Sequence, residues 1–159
     1  MKKYFIFLLL CVSAISGCTA TARFYPVQGP LSRQTPMPVL VGKFNDGLKS
    51  GSMSVRLSAD ELCKGTWALV QRPSSSTAAS VASSTTTNLA SEWDIVYGPG
   101  FYTAHVLGSR LYGRAQLTGN QGTTLTVEIF KPDTGENNTP SAVRGVAQDN
   151  KDNIYKVTF

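Results

Sequence analysis

A mainly β domain, built as an antiparallel sandwich or small barrel of about eight strands, is what this sequence predicts. Three observations carry that expectation. First, apolar and polar residues alternate with period two in separate runs. Met53, Val55 and Leu57 oppose Ser52, Ser54 and Arg56; Leu125, Val127 and Ile129 oppose Thr124, Thr126 and Glu128; Tyr155, Val157 and Phe159 share one face. Second, polar turn clusters such as Gly119-Asn120-Gln121-Gly122 and Asp149-Asn150-Lys151-Asp152 join neighbouring runs as hairpin loops do. Third, Gly42, Gly65, Gly108, Gly113 and Gly145 fall inside the runs, which suits sharply coiled or bulged strands. Pattern alone leaves sandwich and barrel open.

The elements follow in order. Residues 1–17 hold Lys2 and Lys3, an apolar run from Phe5 to Val12 and a small-residue stretch from Ser13 to Gly17. The run is too short to cross a bilayer as a helix, which takes about 20 apolar residues. The series Ile15-Ser16-Gly17-Cys18 resembles the lipobox of bacterial lipoprotein signal peptides. That resemblance implies cleavage between Gly17 and Cys18, a diacylglycerol on the Cys18 thiol and attachment to the cell envelope. Thr19 stands where an aspartate would retain an enteric-type lipoprotein in the inner membrane. Its presence implies the outer membrane, if the organism has one. Each buried CH₂ is worth about 0.8 kcal/mol, so two or three acyl chains would make release very slow.

Thr19–Pro38 contains Pro26, Pro30, Pro36 and Pro38 and shows little periodicity, so residues 18–38 read as an acylated start and an extended tether. Phe24-Tyr25-Pro26-Val27 is apolar for a spacer and could dock on the domain or the membrane interface. A single domain is then expected over 39–159. Strands are expected at Val39–Phe44, Gly51–Ser58 and Cys63–Val70. Residues 74–91 include eleven Ser or Thr and read as a loop. Leu89 and Trp93, spaced i, i+4, suggest one short helix toward its end, before Trp93. Gly98-Pro99-Gly100 forces a turn. Further strands are expected at Phe101–Gly108, Arg110–Thr118, Thr123–Phe130, Ala142–Gln148 and Asn153–Phe159.

Composition narrows the function classes. Removal of residues 1–17 takes away two lysines and leaves 13 basic against 10 acidic residues over 142. The charges are scattered without a Lys/Arg run, so no nucleic-acid footprint is read. Cys11 leaves with the signal and Cys18 carries lipid, so Cys63 is the one remaining thiol and no internal disulfide forms. A buried structural cysteine is the expected role.

The search for chemistry yields little. His105 is the only histidine, so it is the one candidate base for a nucleophile, and Cys63 is the one thiol it could serve. No catalytic signature surrounds either, and there is no Gly-x-Ser-x-Gly. Asp60-Glu61 sits at an expected turn, and Glu92 and Asp94 bracket Trp93. Asp149–Asn153 has a faint likeness to a calcium loop without its length or closing glutamate. Neither a metal nor a cofactor is expected, and no enzymatic activity. Tyr97, Tyr102 and Tyr112 could face a ligand or pack a thin sandwich. The ending Tyr155-Lys156-Val157-Thr158-Phe159 resembles the last strand of integral outer-membrane barrels, but Asn153 and Lys151 break the outward apolar face.

Beyond the lipobox, Tyr25–Leu31, Cys63-Lys64-Gly65-Thr66-Trp67, Tyr97-Gly98-Pro99-Gly100-Phe101, Gly145–Asn150 and Ile154-Tyr155-Lys156-Val157 look like a group of small bacterial lipoproteins. The resemblance spans most of the mature chain and implies no activity. The expectation is therefore a lipid-anchored envelope module that binds a protein or glycan or assists assembly. Its rivals are an inhibitor of a hostile enzyme such as a lysozyme, with Ser74–Ser91 or Thr134–Pro140 inserting into a cleft, an enzyme using His105, and an integral barrel.

Overall fold

The computed structural model describes residues 19–45, 50–70, 89–107, 111–132 and 143–159, apart from the side chains of Leu111 and Tyr112. Eight antiparallel strands close into one barrel: β1 (Thr19–Gln28), β2 (Leu40–Asn45), β3 (Ser50–Arg56), β4 (Leu62–Leu69), β5 (Leu111–Gly119), β6 (Thr124–Lys131), β7 (Arg144–Asp149) and β8 (Ile154–Thr158). Each strand pairs with its sequence neighbours, and β8 returns to β1 through Arg23↔Thr158 and Tyr25↔Lys156. Among the described residues of the connection from β4 to β5 lie one α-helix, α1 (Ala90–Tyr97), and a π-helical turn (Tyr102–Val106). By this topology β1 starts, and β8 ends, at one end of the barrel, called here the terminal end. The turns at 29–39, 57–61, 120–123 and 150–153 form the far end.

The alternation read in the sequence becomes the inside and outside of this barrel. Phe24, Leu40, Phe44, Met53, Val55, Cys63, Leu117, Leu125, Val127, Tyr155 and Val157 are buried in one interior cluster. An eight-stranded barrel is just wide enough for side chains to fill. Phe24 meets Tyr155 edge-on at 6.3 Å, and Phe44 meets Phe159 at 5.1 Å, so aromatic rings occupy both halves of the lumen. Gly65 sits where the wall is tightest: a Cβ there would come within 1.9 Å of the Gln116 carbonyl oxygen.

Three expectations change. Residues 19–28 are not a tether but a full barrel strand, with Ala22 and Phe24 at 0% exposure. Pro26 is tolerated there because the β1–β2 ladder ends at Phe24 and the β1–β8 register shifts between Pro26 and Gln28. Phe101–Gly108 is not a strand over its described part, since Phe101–Val106 is helical and Leu107 is a turn residue. The count of eight therefore stands with β1 gained and 101–107 lost. The short helix contains Trp93 rather than preceding it; the Trp93 N–H donates to the Leu89 carbonyl at 3.0 Å, the i, i+4 pair that signalled it. Most of the Ser/Thr-rich loop at 74–91 lies outside the described residues, as do Gly108 and Thr134–Pro140.

Candidate functional site

Three places on the barrel concentrate polar or aromatic chemistry: the far end of the lumen, the strap formed by α1 and the π-helical turn, and the outer wall.

At the far end, carboxylates enter the lumen. Asp149 Oδ1 accepts the backbone N–H groups of Lys151 and Asn153, each at 2.9 Å. Its Oδ2 accepts Asn153 Nδ2 at 2.9 Å and the Tyr155 hydroxyl at 2.6 Å. A carboxylate offers about four lone-pair positions, and all four are used. The stretch that faintly resembled a calcium loop is thus the β7–β8 hairpin folded onto its own aspartate. Asn153 Oδ1 accepts the Leu31 N–H at 2.8 Å, which pins the β1–β2 turn over the lumen. Burial, reinforced by Asp149, pushes the Tyr155 phenol well above its ordinary value.

Glu61 belongs to the same end. Its Oε1 accepts the Thr123 N–H at 3.3 Å, and its Oε2 accepts Lys151 Nζ at 3.3 Å. The Glu61 carboxyl is held below its ordinary value chiefly by the Thr123 side chain, then by Lys151, against the opposing effect of burial. The Thr123 hydroxyl oxygen itself is buried and has no partner in ideal hydrogen-bond geometry, so its contact with Glu61 is a loose one. Burial lifts the Cys63 thiol to about 11, helped by the charges of Glu61 and Asp149. The thiolate is the nucleophilic form, so Cys63 is inert at neutral pH.

The strap is built on a buried ion pair. Arg114 and Glu128 stand directly opposite on the outer face of β5 and β6. Glu128 is at 0% exposure beneath α1. Its Oε1 accepts Arg114 Nε at 3.1 Å, the Arg114 terminal nitrogen at 2.5 Å and the Leu89 N–H at 3.2 Å; Oε2 accepts Trp93 Nε1 at 2.9 Å. A charge buried this way is tolerable because it is paired and its lone pairs are filled. Above it, Trp93, Tyr97 and Phe101 stack, with Tyr97 and Phe101 4.8 Å apart. Asp94 holds the corner: its carboxylate accepts the Gly100 and Tyr102 N–H groups, each at 3.0 Å. These bonds, Tyr102 first, hold the Asp94 carboxyl below its ordinary value. Glu92 is buried and accepts the Ser91 hydroxyl at 3.0 Å.

His105 rides the outside of the strap, exposed, its ring 4.7 Å from Phe101. Cys63 lies in the lumen, so the barrel wall separates the two residues that could have formed a nucleophilic pair. Tyr97 donates to the Gly145 carbonyl at 3.3 Å and sits under two cations, Arg144 at 5.8 Å and Lys156 at 5.4 Å. Tyr102 packs on the same outer cluster, and the Tyr112 side chain lies outside the described residues. Among the described residues no three of His, Cys, Asp and Glu converge in metal-binding geometry.

The outer wall was not singled out in the sequence. Arg23, Lys43, Arg56, Lys64, Arg114, Arg144 and Lys156 alternate with the lumen residues and so project outward, whereas the described outward strand positions carry one acid, Glu128. These bases are dispersed along the chain, and only the closed register brings them to one surface. No family model matches this chain, and neither do any curated protein or solved structure.

Proposed function

We propose that the protein is a lipid-anchored, non-enzymatic binding module of the cell envelope whose working surface is the outer wall of the barrel. The observation that carries this reading is the filled lumen. Apolar side chains occupy the interior, and the Asp149 carboxylate at its far end has no lone pair left for a substrate. A catalytic carboxylate must have room to act on something else. The polar and cationic groups left for recognition are outside.

The register supports the anchoring part of the proposal. β1 starts at Thr19, the residue after Cys18. An acyl group on Cys18 would therefore join the barrel without a spacer and hold its terminal end against the membrane. The far end, with its turns, would point away. The wall also reverses the pattern of an integral outer-membrane barrel, which is apolar outside and polar within; here the lumen is apolar, and Arg23, Lys43, Ser52, Ser54, Lys64 and Thr66 face out. A closed barrel leaves no strand edge, so an accessory role through strand addition does not fit.

The test is fractionation of cells grown with labelled palmitate. The wild type should carry label and sediment with membranes, while Cys18→Ala should lose the label and become soluble. Label and sedimentation that survive in Cys18→Ala would sink the anchor.

A further inference from the structure

The basic residues of the outer wall are not scattered in space. β7 contributes Arg144, β8 Lys156, β1 Arg23, β2 Lys43, β3 Arg56 and β4 Lys64. The register makes each the diagonal neighbour of the next. Arg144 faces Thr158, two residues from Lys156. Lys156 faces Tyr25, two from Arg23. Arg23 faces Val41, two from Lys43. Lys43 faces Ser54, two from Arg56, and Arg56 faces Leu62, two from Lys64. Such diagonal positions are about 7–8 Å apart. One cation per strand thus forms an unbroken band over six adjacent strands, about 24 Å across at the usual strand spacing.

The band has the properties of a site. Five of the six are exposed and Lys156 is half-exposed. None has a carboxylate partner among the described residues, where the ion pairs are Arg114–Glu128 and Lys151–Glu61. Like charges this close repel, so their alignment costs free energy that a bound anion would recover.

We infer that this band binds a linear anionic polysaccharide, one carrying repeated carboxylates or phosphates. The inference rests on the reading of the outer wall as the working surface. Strands of an eight-stranded barrel tilt by about 35–45° from its axis, so a row of cations that crosses them climbs the wall as it goes round. A flexible chain can follow that path, whereas a flat bilayer meets only a short arc of it. Between the cations stand Thr158, Thr21 and Ser54, with exposed Val41 between Arg23 and Arg56. Hydroxyls and one small apolar side chain suit sugar rings. A groove for single-stranded nucleic acid would carry aromatic platforms along its length. Here the rings gather at one end of the band, Tyr25 opposite Lys156, Tyr97 beneath Arg144 and Lys156, and Phe101 beneath Arg144, and the outward positions of β2, β3 and β4 carry none.

The test uses the purified full chain in neutral detergent, so it reads the band whether or not Cys18 carries lipid; failure of the anchor would appear in fractionation instead. The probes are an oligogalacturonate of about twelve sugars, a phosphorylated dextran of equal charge, neutral dextran, a single-stranded oligonucleotide of equal charge and anionic phosphatidylglycerol vesicles. The expected result is binding of one or both charged glycans in 50 mM salt, weakening as salt screens the cations, and no binding of neutral dextran. Whichever charged glycan binds more tightly identifies the oxyanion. Lys43→Gln and Lys64→Gln should each weaken binding threefold or more, while Arg33→Gln, which removes the same charge from an exposed turn outside the band, should leave it unchanged. Three results would overturn the proposal: no charged glycan binds, Arg33→Gln weakens binding as much as Lys43→Gln, or the oligonucleotide or vesicles bind more tightly than both glycans.

Discussion

Glu128 shows how one side chain decides where a whole segment lies. Its carboxylate sits on the outer face of β6, where alternation alone would give it to solvent, yet Trp93, Leu89 and Arg114 all donate to it. Hydrogen bonds to charged groups contribute about 1.5–3 kcal/mol each. Trp93→Phe keeps a stacking ring and removes one such bond, so it should lower stability by about 2 kcal/mol. A fall in the urea midpoint with an unchanged m-value is the expected observation. Cys63 makes a second residue-scale prediction. Buried, and with its thiol lifted to about 11, it should resist iodoacetamide at pH 8 in the folded protein and react at once in urea. Fast alkylation of the native chain would contradict its place in the lumen.

Glu61 gives the pH dependence at this scale. Its folded pKa is depressed from an ordinary 4.5, so its contribution to stability is fully present above that value. The contribution is lost as pH falls from 4.5 through the folded pKa, because the unfolded state takes up the proton first. Glu61→Gln should therefore flatten the acid limb of a stability–pH curve and leave its shape above pH 6 unaltered. These roles were only partly legible. Cys63 as a structural thiol was readable from its count and its strand. Glu128 was not, because its partners Leu89 and Trp93 lie 39 and 35 residues away.

At the scale of elements, the strap and β1 are where local reading and structure part. Phe101–Leu107 alternates like a strand, but Asp94 caps its first N–H groups, and the wide π-helical turn lets Phe101, Tyr102 and Val106 all reach the outer cluster. Contacts with Trp93 and Phe130 outweigh local β preference, which is weak and context-dependent. Phe101→Ala should cost about 3 kcal/mol of strap docking. Hydrogen exchange should rise over Leu89–Leu107 while β2 to β4 stay protected. β1 hid for a related reason: its prolines suggest a tether, while Ala22 and Phe24 carry the signal of a buried face in only two positions. Among the strands, Gly65 is the least replaceable position. Gly65→Ala would drive a Cβ into the Gln116 backbone, and neither strand can move without breaking the β4–β5 ladder.

For the whole molecule, closure is the governing fact. β1 and β8 are the first and last strands, so the barrel forms only when residues some 130 positions apart in sequence pair. Such non-local contacts make for slow folding, in the millisecond-to-second range. Deleting residues 19–28 would leave β2 and β8 as open edges and expose the lumen face of Phe44 and Val157, so the truncated chain should aggregate. A stable monomer on size exclusion would show that β1 is dispensable. The same closure assembles the basic band, since its members come from six strands spread over positions 23 to 156.

The sequence by itself determined the class of fold, most of the strands, the far-end hairpins and a single short helix, because period-two alternation and turn residues are local properties. It also supplied the Cys18 motif, on which the envelope reading still rests. Only the tertiary structure decided that the sheet closes on itself, that residues 19–28 belong to it and that Phe101–Leu107 does not. Only it placed Cys63 and His105 on opposite sides of a wall and drew six dispersed cations into one band. The physical reason is common to all of these: each depends on which strands become neighbours, and neighbours are chosen by the packing of the whole lumen rather than by any one segment.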